Sequence, residues 1–302
     1  MEIRNLTTFL KVAVLGSFTQ AARDLGYSQA NVSAQIKQLE EEVGAPLFNR
    51  IGRSITLTQY AEELLPYARN IVATASQMEN LLRPEEELGG TLRVGMIESL
   101  FDLLAEEVLP DYHRRFPRVL LEVTVDSTEA LKDALAHGRI DIACLIDDPL
   151  PKNEWQVLFA AESEIAAYAA PSHPLAGKKH VTAAMLAAHE TILMERSAPY
   201  NSGLRSFLAK SEIELVPFLT LQRSDMARIL AEHGPYITVL PRYSVAESLA
   251  AGRLVKLDTE GLNLCETVQV VLQRDRVIVP QIKGFAELAS ARIQAVLSAA
   301  DQ

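Results

Sequence analysis

From Thr58 to Arg83 the chain keeps a single helical pattern unbroken by glycine. Leu64, Ala68, Ile71, Ala75, Met78 and Leu82 are spaced 4, 3, 4, 3 and 4, which is a heptad seam. A seam this regular, outside a compact domain, pairs with a second copy of the chain. The other reading is a lone amphipathic helix packed on its own core. Either way the helix divides a short N-terminal segment from a larger C-terminal one. Pro84 ends it, and Glu85-Glu86-Glu87-Leu88-Gly89-Gly90 reads as an acidic, flexible linker.

The segment before this helix is short and helical. Leu6, Phe9, Leu10 and Ala13 line one helical face, and Gly16 ends that helix. Thr19 is the expected cap of a second helix, Gln20 to Leu25, which Gly26 ends. Ser28 caps a third, Gln29 to Val43. A short helix, a tight turn and a third helix make a helix-turn-helix. Val32, Ile36, Leu39 and Val43 form the inward stripe of helix three. Gln29, Ala30, Ser33, Ala34 and Lys37 share another face. The candidate DNA-binding residues there are Gln29, Asn31, Ser33 and Lys37. A Gln amide both donates and accepts, which suits adenine N6/N7, and Lys37 suits phosphate. The same pattern also fits a plain three-helix bundle with a solvated polar face. Two β-prone runs around Asn49–Ser54 then predict a hairpin wing carrying Arg50 and Arg53. An arginine at a wing tip can enter a narrow minor groove.

Together these residues resemble the N-terminal domain of LysR-type transcriptional regulators. The likeness is carried by Ser17-Phe18-Thr19-Gln20-Ala21-Ala22, Leu25, Ser28-Gln29, Ser33, Gln35-Ile36, Leu39-Glu40, Gly44, Pro46-Leu47-Phe48, Arg50, Arg53 and Leu57-Thr58. It covers about sixty residues without a gap. The sequence departs from the family at Ala30, Ala34 and Ala61; Ala34 stands where an arginine often contacts DNA. The resemblance implies an antiparallel dimer through the long helix, further assembly to a tetramer, and a pseudo-palindromic promoter site. Promoter binding brings RNA polymerase into reach as a further partner.

After Thr91 strands alternate with helices. Expected elements are strand Leu92–Met96, helix Leu100–Phe116, strand Val119–Val125, helix Thr128–His137 and strand Ile140–Ile146. A second series comes next: a strand from Ile165 to Ala170, helix Thr182–Ala188, strand Thr191–Glu195, helix Ser202–Lys210, strand Leu215–Leu219, helix Ser224–His233 and strand Ile237–Leu240. Cys265–Gln273 and the helix Ile282–Ala299 finish the chain. The alternation predicts two α/β lobes around a cleft. Gly138-Arg139-Ile140-Asp141-Ile142-Ala143, His173-Pro174-Leu175 and Leu240-Pro241 extend the resemblance. It implies lobes like those of periplasmic binding proteins, crossed twice near 162–165 and 266–268.

The fold class is thus α/β with a helix-rich winged helix-turn-helix head. The expected divisions are head 1–58, dimerisation helix 59–84, hinge 85–90 and effector-binding domain 91–302. Lobe I is 91–162 and 268–302; lobe II is 163–267. Ligands of such sheets sit at the carboxyl ends of strands against helix N-termini. That rule selects Ser99, Ser127, Thr128, Asn201 and Ser202 as effector-binding residues, with Ser224 at a further junction. Gly234-Pro235-Tyr236 departs from the family pattern, and Tyr236 is expected to narrow the pocket or stack on the ligand. Arg196 pairs with a ligand carboxylate or with a surface acid. A small organic anion is the expected effector.

Composition narrows the alternatives. No stretch approaches the roughly 20 apolar residues of a membrane span, and the N-terminus is not a signal peptide, so a cytoplasmic location is expected. Net charge is −10, with +1 on residues 1–58 and −11 on the rest, so DNA contact depends on placement more than on bulk charge. Cys144 and Cys265 form no disulfide framework and are expected to be buried. His113, His137, His173, His180 and His233 read as surface or capping residues. No nucleophile elbow, zincin, P-loop or dinucleotide motif occurs. No enzyme, metal or cofactor is expected. A cytoplasmic solute-binding protein or an enzyme using the cleft is the competing function.

Overall fold

Three short amphipathic helices have apolar stripes that close on one another. The computed structural model describes residues 1–51, 54–80, 84–195, 200–210 and 212–299. In it α1 (Ile3–Leu15), α2 (Phe18–Leu25) and α3 (Gln29–Val43) bury Leu6, Phe9, Val12, Phe18, Val32, Ile36 and Leu39 in one core. The cap of α2 is Ser17, not Thr19. Ser17 Oγ accepts from the Gln20 amide at 3.2 Å. Thr19 is already inside the helix, and its hydroxyl donates to Gln29 Oε1 at 3.1 Å. Ser28 caps α3 through the Asn31 amide. β1 (Phe48–Ile51) and β2 (Ser54–Leu57) pair antiparallel as the wing. Phe48 meets Phe18 edge-on, with ring centroids 5.5 Å apart.

Thr58 then caps α4 (Gln59–Asn80), its Oγ1 accepting from the Ala61 amide at 3.1 Å. The expected seam is not left intact. Ala68, with Leu65 beside it, is buried in the head core, whereas Ile71 and Met78 are exposed. Leu82 falls outside the described residues. A helix that both closes the head and offers a free face cannot use one stripe for both. The open stripe is rotated: Tyr60, Leu64, Tyr67, Ile71, Thr74 and Met78, again spaced 4, 3, 4, 3 and 4. Tyr60, Tyr67, Ile71 and Met78 of this stripe are exposed. Further along, α4 leans on the C-terminal domain. Asn70 Nδ2 donates to the Asp275 carbonyl at 2.6 Å.

The acidic run is not a free linker. Glu85–Glu87 forms one 3₁₀ turn. The Arg115 guanidinium donates to the Glu85 carboxylate at 2.5 and 2.9 Å. Leu88 is buried, and Gly89 and Gly90 already belong to β3 (Gly89–Met96), paired with Arg118 and Val119. An apolar anchor and an ion pair fix what composition alone marks as mobile.

The remaining elements are α5 (Glu98–Ala105), α6 (Val108–Arg115), β4 (Arg118–Val125), α7 (Thr128–Ala136), β5 (Ile142–Asp147), β6 (Trp155–Ala169), α8 (Ala183–Ala187), β7 (Thr191–Met194), α9 (Asn201–Lys210), β8 (Leu219–Leu221), α10 (Ser224–His233), β9 (Ile237–Pro241), α11 (Arg242–Ala250), β10 (Val255–Lys256), β11 (Leu264–Gln273) and α12 (Pro280–Ala299). Two expectations change at prolines. The helix expected over Leu100–Phe116 is two helices, because Pro110 has no N–H to continue the ladder from α5. The strand expected over Leu215–Leu219 begins only at Leu219, after Pro217. α11, after Leu240-Pro241, was not foreseen.

The strands form one sheet in the order β4-β3-β5-β11-β6-β9-β7-β8, with β10 on β6. β4, β3 and β5 are parallel, as are β8, β7 and β9. Between them lie β6 and β11, antiparallel to each other from Trp155↔Gln273 to Ile165↔Leu264. Each of the two lobes is therefore built on the same central ribbon. Cys144 is buried in β5, but Cys265 is exposed on the ribbon, where Glu162 faces it. His173 is buried; its Nδ1 accepts from the Leu175 amide at 3.1 Å and caps that turn.

Candidate nucleic-acid interface and interlobe cleft

The outer face of α3 carries the predicted DNA-binding set. Gln29, Asn31 and Lys37 are exposed, and Ser33 is half-buried. Lys37 Nζ lies 3.4 Å from Glu41, one turn on. Two residues that sequence reasoning missed, Gln35 and Thr8, orient this face. Gln35 is buried; its Oε1 accepts from Thr8 Oγ1 at 2.5 Å, and its Nε2 donates to Asn31 Oδ1 at 3.1 Å. The Asn31 and Gln29 carbonyl oxygens are thus engaged by Gln35 and Thr19 respectively, so both side chains turn N–H donors outward. Donors suit phosphate or guanine acceptors, a narrower role than the donor-and-acceptor pairing expected for Gln29. The Gln35 signal was its place beside the apolar stripe, one residue before Ile36. Arg53 and the Arg50 side chain lie outside the described residues.

A cavity of about 640 Å³ opens between the lobes. The carboxyl ends of β3 and β4 bring Ser99, Ser127 and Thr128 to its wall, as the strand-end rule requires. Thr128 is buried and donates to the Ile146 carbonyl at 3.0 Å. Ser127 Oγ caps α7 through the Ala130 amide at 3.3 Å. Ser99 Oγ lies 2.6 Å from the Tyr243 hydroxyl, a bond that crosses from one lobe to the other.

Asn201, Ser202 and Tyr236 do not line this cavity. Asn201 is buried, and its amide donates to the Met194 and Glu195 carbonyls. Ser202 is exposed on α9. Tyr236 precedes β9, whereas the cleft lies at the far end of that strand, at Pro241. Five residues of strand separate the two by roughly 16 Å. Tyr236 instead stacks on Phe218, with ring centroids 5.2 Å apart and planes 1° from parallel. It neither narrows the pocket nor faces its interior. Arg196 is outside the described residues.

The wall also holds residues not singled out from the sequence: Glu98, Glu195, Tyr200, Gln222, Arg223 and Tyr243. Glu98 reaches across the cleft. Its carboxylate accepts from the Ser224 amide at 3.0 and 3.1 Å and from Ser224 Oγ at 2.9 Å. It thereby caps α10 with a resident negative charge. Burial raises its affinity for a proton, the Ser224 bonds oppose that, and Asp102 and Asp225 add to it. Arg223 is held by Asp225 at 2.5 and 2.9 Å. Beside the cleft, burial pushes Glu266 up to about 7, helped by Asp148 and Asp147. The only sequence hint to Glu98 and Tyr243 was adjacency: one precedes Ser99, the other comes soon after Leu240-Pro241.

The chain matches two family models, "Bacterial regulatory helix-turn-helix protein, lysR family" over residues 3–62 and "LysR substrate binding domain" over residues 85–294. It is 29% identical over 294 residues to the HTH-type transcriptional regulator YwqM of Bacillus subtilis (strain 168), covering 95% of this chain and 98% of that protein. It is 30% identical to the HTH-type transcriptional regulator CbbR of Rhodospirillum rubrum, covering 96% of each. A full-length cysteine-to-aspartate variant of OxyR from Pseudomonas aeruginosa shares the fold, with a TM-score of 0.73 at 20% identity over 99% of this chain and 97% of that one. Among the described residues no helix is long and apolar enough to cross a membrane. With a winged head, a long connecting helix and a two-lobed domain each where the family has them, the chain belongs to the LysR family: it is a DNA-binding transcription regulator with an effector-binding domain.

Proposed function

We propose that this regulator binds a small-molecule effector in the interlobe cleft, and that the effector changes how the two heads of a dimer sit on promoter DNA. The observation that carries the reading is the pair of contacts spanning the cleft, Glu98 to Ser224 and Ser99 to Tyr243. A ligand entering there exchanges contacts on both lobes at once. It can shift the lobe arrangement only by its differential affinity for the two states. The working units are the head 1–58, the helix 59–84, the short junction 85–90, held by Glu85, Leu88 and the start of β3, and the effector domain 91–302. Dimerisation uses the exposed stripe of α4, and two dimers form the tetramer. Gln29, Asn31, Ser33, Lys37, Arg50 and Arg53 contact a pseudo-palindromic site. The protein acts in the cytoplasm, beside RNA polymerase, and does not catalyse a reaction.

The test is thermal unfolding of the full chain against a panel of small metabolites, followed by footprinting on its own promoter. A ligand at 100 times its dissociation constant stabilises by about 2.7 kcal/mol. A hit that Thr128→Val abolishes, and that alters the footprint, supports the proposal. A hit indifferent both to Thr128→Val and to Tyr200→Phe, on opposite walls of the cavity, places the effector elsewhere and refutes it.

A further inference from the structure

The cleft is acidic for a pocket that offers helix N-termini. Glu98, Asp126 and Glu195 line it; among the described residues Arg223 is the one cation on its wall, and Asp225 already holds it. The N-terminus of α10, where a ligand carboxylate would find free N–H groups, is occupied by the Glu98 carboxylate. An incoming anion would have to displace that carboxylate and then sit beside it.

An independent feature points to a ligand. Tyr200 lines the cavity and is only 5% exposed, yet among the described residues its hydroxyl has no hydrogen-bond partner. The hydroxyl is not sealed in the core with those of Tyr112 and Tyr168 but opens on the cavity, where a ligand donor can meet it. Its ring and that of Tyr243 supply aromatic surface next to the Glu98 carboxylate. Carboxylates, a hydroxyl acceptor and aromatic rings are what an alkylammonium group requires: it has three N–H donors, no acceptor, and an attraction to π faces.

We infer that the effector carries an ammonium group, held between Glu98, Glu195 and Tyr200. This rests on the cleft being the effector site. It replaces the organic anion expected from helix N-termini alone. The shared chemistry fits a simple amine, or an amino acid whose carboxylate end reaches Ser127 and Thr128 on α7.

Full-length protein is titrated with three linear probes: cadaverine, L-lysine and glutarate. Cadaverine or lysine should raise the unfolding midpoint, and glutarate should not. Cadaverine alone identifies a bare amine; lysine alone identifies a zwitterion. The dissociation constant of the binding amine should rise about tenfold or more in Glu195→Gln and in Tyr200→Phe. These two positions leave the α10 cap in place, which Glu98→Gln would not. Stabilisation by glutarate with both amines silent overturns the ammonium assignment. If Thr128→Val removes that glutarate effect, the cleft remains the effector site. Amine binding unchanged in both variants, or no shift with any probe, also overturns the assignment.

Discussion

Asp141 accepts from the Arg276 guanidinium at 2.7 Å on one carboxylate oxygen and from the Arg93 amide at 2.9 Å on the other. Both side chains of the ion pair are nearly out of solvent, 5% and 14% exposed. Arg69 of α4 is also near; burial pulls it down to about 10, and Asp141 opposes that loss. The aspartate of the Gly138–Ala143 motif thus joins β3, the chain after β11 and the connecting helix. Asp141→Asn leaves buried guanidinium charge uncompensated and should cost about 3–5 kcal/mol. The check is the midpoint of effector-domain unfolding, which should fall by roughly 6–20 °C; a fall under about 2 °C would show that the junction contributes little.

Helix capping in the head gives a second expectation. Ser17→Ala removes the oxygen that receives the Gln20 amide and should destabilise the head by about 1 kcal/mol. Thr19→Ala should have a smaller effect on stability, because Thr19 lies inside α2. Denaturant midpoints of the two variants decide between them, and equal losses would return the cap to Thr19.

Glu266 predicts a pH dependence. Its folded-state pKa is raised to about 7, above the ordinary carboxylate value. The folded state therefore binds its proton more tightly than the unfolded state does. Stability should fall as pH rises from the ordinary carboxylate range to about 7, then level off. Glu98 and Asp102 are shifted in the same direction and add to the slope. Glu266→Gln should flatten the plot of unfolding midpoint against pH between about 4.5 and 7. A slope identical to the parent would eliminate Glu266 as its source.

The rotated stripe of α4 can be broken without touching the head core. Ile71→Glu places a charge among Tyr67, Thr74 and Met78. It should shift sedimentation toward a smaller species at micromolar concentration, with the circular dichroism spectrum unchanged. A sedimentation profile matching the parent would remove this stripe from the interface.

Local signals gave most of the backbone. Ser28 and Gly44 bound α3 and Gly26 ends α2 by chemistry confined to a few neighbours, and α10 matches its expected bounds at both ends. Pro110 and Pro217 were equally visible, and they account for the split helix and the late strand. What failed required knowledge of the partner. The stripe of α4 has two candidate registers, and only the head core selects which one is buried. The acidic run at 85–87 reads as mobile until Arg115, thirty residues after Glu85, is placed beside it. In the cleft, strand ends located Ser99, Ser127 and Thr128. Tyr236 was misplaced because it is bulky and near a strand, but at the wrong end of it. Glu98 and Tyr243 were missed because their role exists only once one lobe faces the other.

The ribbon of β6 and β11 sets the mechanics of signalling. The lobes are not strung on loose connections; their shared spine is a ladder in unbroken register from Phe159↔Val270 to Ile165↔Leu264, and it spans the crossing at Glu162↔Thr267, Ser163↔Glu266 and Glu164↔Cys265. Such a ladder resists stretching and sliding, since either would break several backbone bonds together, but it twists at low cost. If the cleft is the effector site, as proposed, the ribbon would serve as a torsion bar: occupancy would be stored as a change of pitch along two strands and returned as recoil when the ligand leaves.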